Sequence, residues 1–171
     1  MDLALTDDQR AVRAAVRDWV EDVVVPHALR NDREERFPAE ALDGLRATGF
    51  VGMSIGERWG GGGADPLTYC LFIEELGRGD ANVRSIMSVH LGLVAGSIER
   101  WGSEAQQEQW LPRMATGEVL GCFGLTEPDH GSNPADLRAT AQPLAGGGWR
   151  ISGRKVFITN GTIAGVALVM A

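Results

Sequence analysis

The apolar pattern of the chain changes period once, at Thr116-Gly117, and that change limits what the chain can fold into. Before it, apolar residues recur at three- and four-residue steps, as on one face of successive helices. After it come short apolar or alternating runs separated by Gly, Pro and Asn, the signature of strands. The expected fold class is α+β: an N-terminal all-α helical domain over residues 1–117, then over 118–171 the first part of a mainly antiparallel β-domain.

Local signals place the helices. Thr6 and Gln9 form a T-x-x-Q capping box, and Val12, Val16, Trp19, Val20, Val23 and Val24 then fall on one face. Pro26 is expected to end or kink that helix. A second helix has Pro38 in its first turn, turns Leu42 and Leu45 inward and stops at Gly49. Asp65 and Pro66 read as cap and first residue of a third, through Leu76. The run from Val83 to Ile98, apolar nearly all round, reads as a central buried helix. Ser103 and Gln106 make a second capping box, opening a helix to Ala115.

Between them, Val51 to Gly63 reads as a loop. The glycines Gly60 to Gly63 lack both the strand-borne G-x-G-x-x-G spacing and the following Lys-Ser/Thr of a phosphate loop, so a plain flexible loop is expected. Five strand-like runs follow: 119–125, 137–144, 149–152, 156–159 and 166–170. The last ends at Ala171 without a turn or polar tail, and a closed β-domain needs about twice the 50 or so residues present, so the chain is expected to stop inside its second domain.

Composition excludes several classes. A net charge of −7 in 171 residues argues against a nucleic-acid surface, which needs clustered Lys and Arg. No apolar run reaches the ~20 residues of a membrane span. Met1-Asp2 opens no secretory signal, and a cytoplasmic location is the default. Cys70 and Cys122 have no C-x-x-C partner and are expected to be buried and apolar in role. His27, His90 and His130 show no ligand spacing, so no metal is expected.

The turn-rich stretch GCFGLTEPDHGSNPADL, residues 121–137, has an ordinary reading as consecutive turns, with Gly131 supplying a positive φ and Asn133-Pro134 opening the last. Its neighbours add a second reading. The helical half followed by WGSEAQQEQWLPRMATGEVLGCFGLTEPDHGSNPADL and then RKVFITNG resembles the acyl-CoA dehydrogenase family across essentially the whole chain. That resemblance implies a helical domain, a middle β-domain and a C-terminal four-helix bundle, with FAD between the last two.

The resemblance implies site roles. Thr126 and the backbone of Phe123 and Leu125 would face the flavin. Gly131 would let the main chain approach without a Cβ, and Ser132 would donate to the pyrophosphate side of the cofactor or to the thioester ligand. In the segment that reads W-I-T-N in many relatives, Phe157 would stack on the flavin beside Thr159. The alternative for Phe157 is an ordinary core aromatic on a strand. Asn133 replaces the aspartate common in relatives.

Arg84 and Ser85 carry the substrate expectation. Their segment, VRSIMSVHLGLV, resembles the R-S-x-M-S-V run of glutaryl-CoA dehydrogenases, where the arginine meets the distal carboxylate of the acyl chain. A guanidinium fits a carboxylate with two parallel hydrogen bonds. The alternative is a helix-entry arginine paired with Asp80 or another surface carboxylate.

The implied reaction is oxidation of an acyl-CoA between its α and β carbons, glutaryl-CoA-like and followed by decarboxylation. Electrons would pass to an electron-transferring flavoprotein, and the full-length protein would be a tetramer. The base belongs to the C-terminal bundle, so no catalytic residue is assigned. Glu127 reads as a loop residue, and Glu74 and Glu75 as a solvated face or ion-pair partners. Two alternatives stay open: a flavin- and thioester-binding relative without dehydrogenation, and a non-enzymatic helical interaction module using its open β-edge.

Overall fold

In the computed structural model of the chain, residues 4–171 are described. Met1 and Asp2, where no export signal is read, lie outside the described residues. Helix α1 (Asp7–Trp19) carries the expected Thr6–Gln9 capping box. It passes through a π-helical turn, Val20–Val24, into α2 (Val25–Arg33). Pro26 therefore does not end the helix. A proline ring collides with the carbonyl one turn back, and the wider turn ahead of it, closed by Val25 N–H to Val20 O, makes room.

Helix α3 (Ala39–Thr48) begins after Pro38 and ends at Gly49, whose φ of 75° is the left-handed cap expected there. Helix α4 (Pro66–Gly79) is capped by Asp65, whose side chain accepts from Leu67 N and Thr68 N. The central apolar run is one continuous helical rod in three parts: α5 (Ala81–Met87), a π-segment (Ser88–Ala95) and α6 (Gly96–Trp101). It is not buried all round, since Leu93 is 43% exposed. Helix α7 (Glu104–Ala115) opens on the second capping box.

These helices share one core. Val16 and Val20 meet Leu45, Phe72, Leu76, Met87 and Met114, all with no exposed surface. Each such side chain contributes about 1.5–3 kcal/mol by leaving water. Glu75, also buried, ties α4 to α1 by accepting from Arg13 Nε at 3.1 Å, Arg17 Nε at 3.0 Å and Arg78 Nε at 3.0 Å. Of the two sequence alternatives, this is the ion-pair partner. The guanidiniums, Arg17 first, hold its pKa down at about 2.

The glycine run is not a free loop. Gly62, Gly63 and Ala64 donate backbone N–H groups to Gly52, Ile55 and Met53. A Cβ on Gly61 would sit 2.1 Å from Ile55 O, so the run is glycine because two backbones lie against each other.

The β-part holds two pairs. Strand β1 (Gly121–Gly124) and β4 (Val166–Val169) are parallel, Gly121 opposite Val166. Strands β2 (Thr140–Pro143) and β3 (Trp149–Ser152) form an antiparallel, solvent-exposed hairpin. The α+β class holds; the antiparallel expectation holds for the hairpin alone, because the stretch between β1 and β4 is long enough for a parallel return. Residues 156–159 form no strand. Phe157 at φ 55° and Asn160 at φ 66° turn the chain there.

Strand β1 lies against the π-segment, where a Cβ on Gly121 would come within 2.7 Å of Val94 Cβ. Among the described residues no helix is long and apolar enough to cross a membrane, and no cluster of metal-ligating side chains occurs. Cys122 is buried as expected, but Cys70 is exposed on the outer face of α4.

Candidate functional site

Two loops meet beside β1. The first follows the strand through Leu125, Thr126 and Glu127, and the second runs through Lys155, Val156 and Phe157. Val156 N–H donates to Thr126 O at 2.9 Å, and Lys155 Nζ donates to Leu125 O at 3.0 Å and to Glu127 Oε1 at 2.8 Å. Glu127 is buried and also accepts from Arg138 N at 2.7 Å and Ala139 N at 2.8 Å. Lys155 first, then these amides, hold its pKa at about 2, so it is an ionised clamp. No sequence signal marked its burial; the pairing with Lys155 is made only by the fold.

Phe157 is 92% exposed on a left-handed backbone. Within these residues the ring is held out in water and lies on no strand, unlike the core aromatic of the alternative. Thr126 and Thr159 are half-buried, Ser132 is exposed, and none of the three hydroxyls bonds within the described residues. The hydroxyls of Thr48, Ser85 and Ser88 instead bond back into their own helices. Phe123 and Leu125 sit half-buried at and just beyond the end of β1.

Gly131 departs from expectation. It does not adopt a positive φ, and a Cβ there would meet Thr126 Cγ2 at 3.7 Å, an ordinary contact. Nothing in its own backbone requires glycine. Asn133 caps the short turn Pro134–Asp136 by accepting from Ala135 N.

The second loop continues to Asn160, which is buried and donates from Nδ2 to Ile86 O at 3.1 Å and Gly121 O at 3.0 Å. This carries Thr159 to the helix that bears Ser85. The two line one crevice of about 510 Å³ with Asn82, Ile86, Asn31 of α2 and Phe37 of the α2–α3 connection. Ser132 is not among its walls, and neither is Arg84.

Arg84 lies over Gly77 of α4, where a Cβ would be 3.4 Å from Arg84 Cγ. It is half-buried, and its guanidinium has no carboxylate partner among the described residues. Asp80, the partner considered from the sequence, instead caps α5 by accepting from Asn82 N at 2.7 Å.

His90 completes the surroundings. It has no exposed surface; its Nε2 faces Met114 O at 3.1 Å and its Nδ1 accepts from Gly121 N at 3.2 Å. Those partners define the neutral tautomer with the proton on Nε2. Burial pushes its pKa down to about 4.

Residues 6–118 match the family model described as acyl-CoA dehydrogenase, N-terminal domain, and residues 122–171 match the acyl-CoA dehydrogenase middle domain. The short-chain-specific acyl-CoA dehydrogenase of Clostridium acetobutylicum is 37% identical over 171 residues, 100% of this chain and 45% of that protein. Glutaryl-CoA dehydrogenase from Mycobacterium smegmatis, solved in complex with FADH2, is 41% identical with a TM-score of 0.90, covering 98% of this chain and 43% of that one. Butyryl-CoA dehydrogenase from Megasphaera elsdenii is 35% identical with a TM-score of 0.91, covering 99% and 45%. The chain spans less than half the length of each of these relatives.

Proposed function

The chain belongs to the acyl-CoA dehydrogenase family, and on that premise we propose that it forms the N-terminal portion of an FAD-dependent enzyme oxidising the α,β bond of an acyl-CoA whose acyl group ends in a carboxylate, as glutaryl-CoA does. Its two domains would divide at residues 117 and 118. Arg84 carries the proposal: a half-buried guanidinium with no carboxylate partner among the described residues suits a carboxylate brought by the substrate.

The residues beside β1 fit a flavin. Phe157 offers a planar apolar ring that the described residues leave 92% exposed, and Thr126 and Thr159 offer hydroxyls unengaged by those residues. FAD, when bound, supplies the hydride acceptor. The part played by this chain is to hold and orient. Glu127 and Lys155 fix the first loop against the second, and Ser132 and the main chain at Gly131 contribute polar contacts on the exposed side. Ser85 would meet the acyl group beside Arg84.

No carboxylate here suits removal of the α-proton. Glu127 and Glu75 are both held ionised by several donors, which makes them poor bases. We assign that step to residues outside these 171, and the electrons to an electron-transferring flavoprotein, with the whole enzyme a tetramer.

A neutral short-chain acyl group is the second reading, favoured by comparable identity to short-chain and butyryl-CoA enzymes. Anaerobic flavin bleaching in the complete enzyme separates the two. Glutaryl-CoA is expected to bleach it at lower concentration than butyryl-CoA, with carbon dioxide released; preference for butyryl-CoA overturns the carboxylate assignment. A purified protein that takes up no FAD overturns both.

A further inference from the structure

One buried amide joins the two halves of the site. Asn160 Nδ2 has two N–H donors, and both are used: one on Ile86 O in α5, the other on Gly121 O at the start of β1. Both partners are carbonyls, so the amide can face only one way. The backbone carbonyl of Asn160 accepts from Ile163 N at 3.0 Å and Ala164 N at 2.8 Å, closing the turn. Ile86 stands just ahead of the change from α- to π-winding, where a helix departs from its regular bonding ladder.

The flanking residues give that contact its meaning. Phe157 and Thr159 lie three and one residues before Asn160, while Ser85 and Arg84 lie one and two before Ile86. Gly121 is the shared post, its N–H held by His90 and its carbonyl by Asn160. Asn160 Oδ1, by contrast, is buried without a partner among the described residues. A residue kept at that cost, in a left-handed conformation asparagine tolerates, is held for its two donors.

We propose that Asn160 is a positioning residue: by bonding Ile86 O and Gly121 O at once, it fixes the 157–163 turn against α5 and so sets where Phe157 and Thr159 stand relative to Arg84 and Ser85. Asparagine is suited to it, because glycine would keep the backbone shape without the donors, and aspartate would face two carbonyls with oxygens. The proposal rests on the functional reading for what Phe157 and Thr159 contact. The clamp itself does not.

The test uses the complete enzyme with Asn160→Gly and Asn160→Asp, and Gln109→Ala, exposed on α7, as control. Hydrogen exchange of residues 157–164 reads the clamp; flavin absorbance, FAD affinity and the KM for acyl-CoA read the positioning. Asn160→Gly, whose backbone stays unstrained, is expected to speed exchange there, weaken FAD binding about tenfold and raise KM with a smaller change in kcat. Asn160→Asp is expected to do more, and Gln109→Ala neither. An Asn160→Gly protein with faster exchange but unaltered flavin spectrum, FAD affinity and KM overturns the positioning role. If the wild-type enzyme takes up no FAD, the functional reading fails on its own, and unchanged exchange in Asn160→Gly then overturns the clamp as well.

Discussion

Lys155 Nζ lies 2.8 Å from Glu127 Oε1, with both side chains largely withdrawn from solvent, and this pair fastens together the two loops that carry Thr126 and Phe157. Glu127→Gln keeps the shape and removes the charge, leaving Lys155 buried opposite a neutral amide. It is expected to lower the thermal midpoint and to loosen residues 125–139, read as faster hydrogen exchange there. An unchanged midpoint and exchange pattern would show that the clamp is dispensable.

Phe157→Ala removes a ring that contacts little protein, so the fold should keep its stability to within about 0.5 kcal/mol by chemical denaturation. FAD binding by the complete enzyme should weaken about two- to tenfold, the worth of one aromatic contact, and Phe157→Trp should restore it. Destabilisation without loss of FAD would reassign the ring to the fold.

Gly131→Ala and Gly121→Ala form a contrasting pair. The first adds a methyl where there is room, so stability should hold while FAD binding falls. The second drives a methyl into Val94 and should cost about 1–3 kcal/mol in denaturant unfolding. Equal stability loss in both would mean that Gly131 serves the loop backbone and not a ligand.

Arg84→Ala in the complete enzyme should weaken a carboxylate-ended acyl-CoA by about 2–5 kcal/mol, by stranding its charge, and leave neutral acyl-CoAs nearly unaffected. The ratio of kcat/KM values for glutaryl-CoA and butyryl-CoA measures this directly. A uniform loss removes the specificity role.

Acid stability should fall in two stages. His90 has a folded pKa of about 4, below its ordinary 6.5, so the unfolded chain binds the extra proton first. Its contribution is complete above pH 6.5 and is lost as pH falls toward 4. Glu75 and Glu127, lowered from 4.5 to about 2, contribute fully above 4.5 and lose it as pH falls toward 2. Denaturation midpoints from pH 7 down to about 2 check this; His90→Phe should flatten the upper stage, at a lower stability throughout.

What the sequence disclosed was chemistry of short reach. The Thr6–Gln9 and Ser103–Gln106 boxes, the Asp65 cap and the Gly49 stop all involve residues within four of one another, and all stand as read. What it concealed depends on partners far along the chain. The glycine run is pinned to residues 52–55, and Glu127 and Asn160 find partners 28 and 74 residues away, while Pro26 is the local exception, accommodated by the widened turn beside it. Cys70 misled because a small apolar residue on a helix can face either way.

The parallel pairing of β1 with β4 bears on the order of events during synthesis. Each helix closes its own backbone ladder within a few residues and can form while the chain is still emerging, whereas β1 must wait for the hairpin and the Asn160 turn before its edge is met. In that interval a nascent chain would present an open ladder of amides beside Cys122, the stage at which a chaperone or a like strand from another molecule would find it.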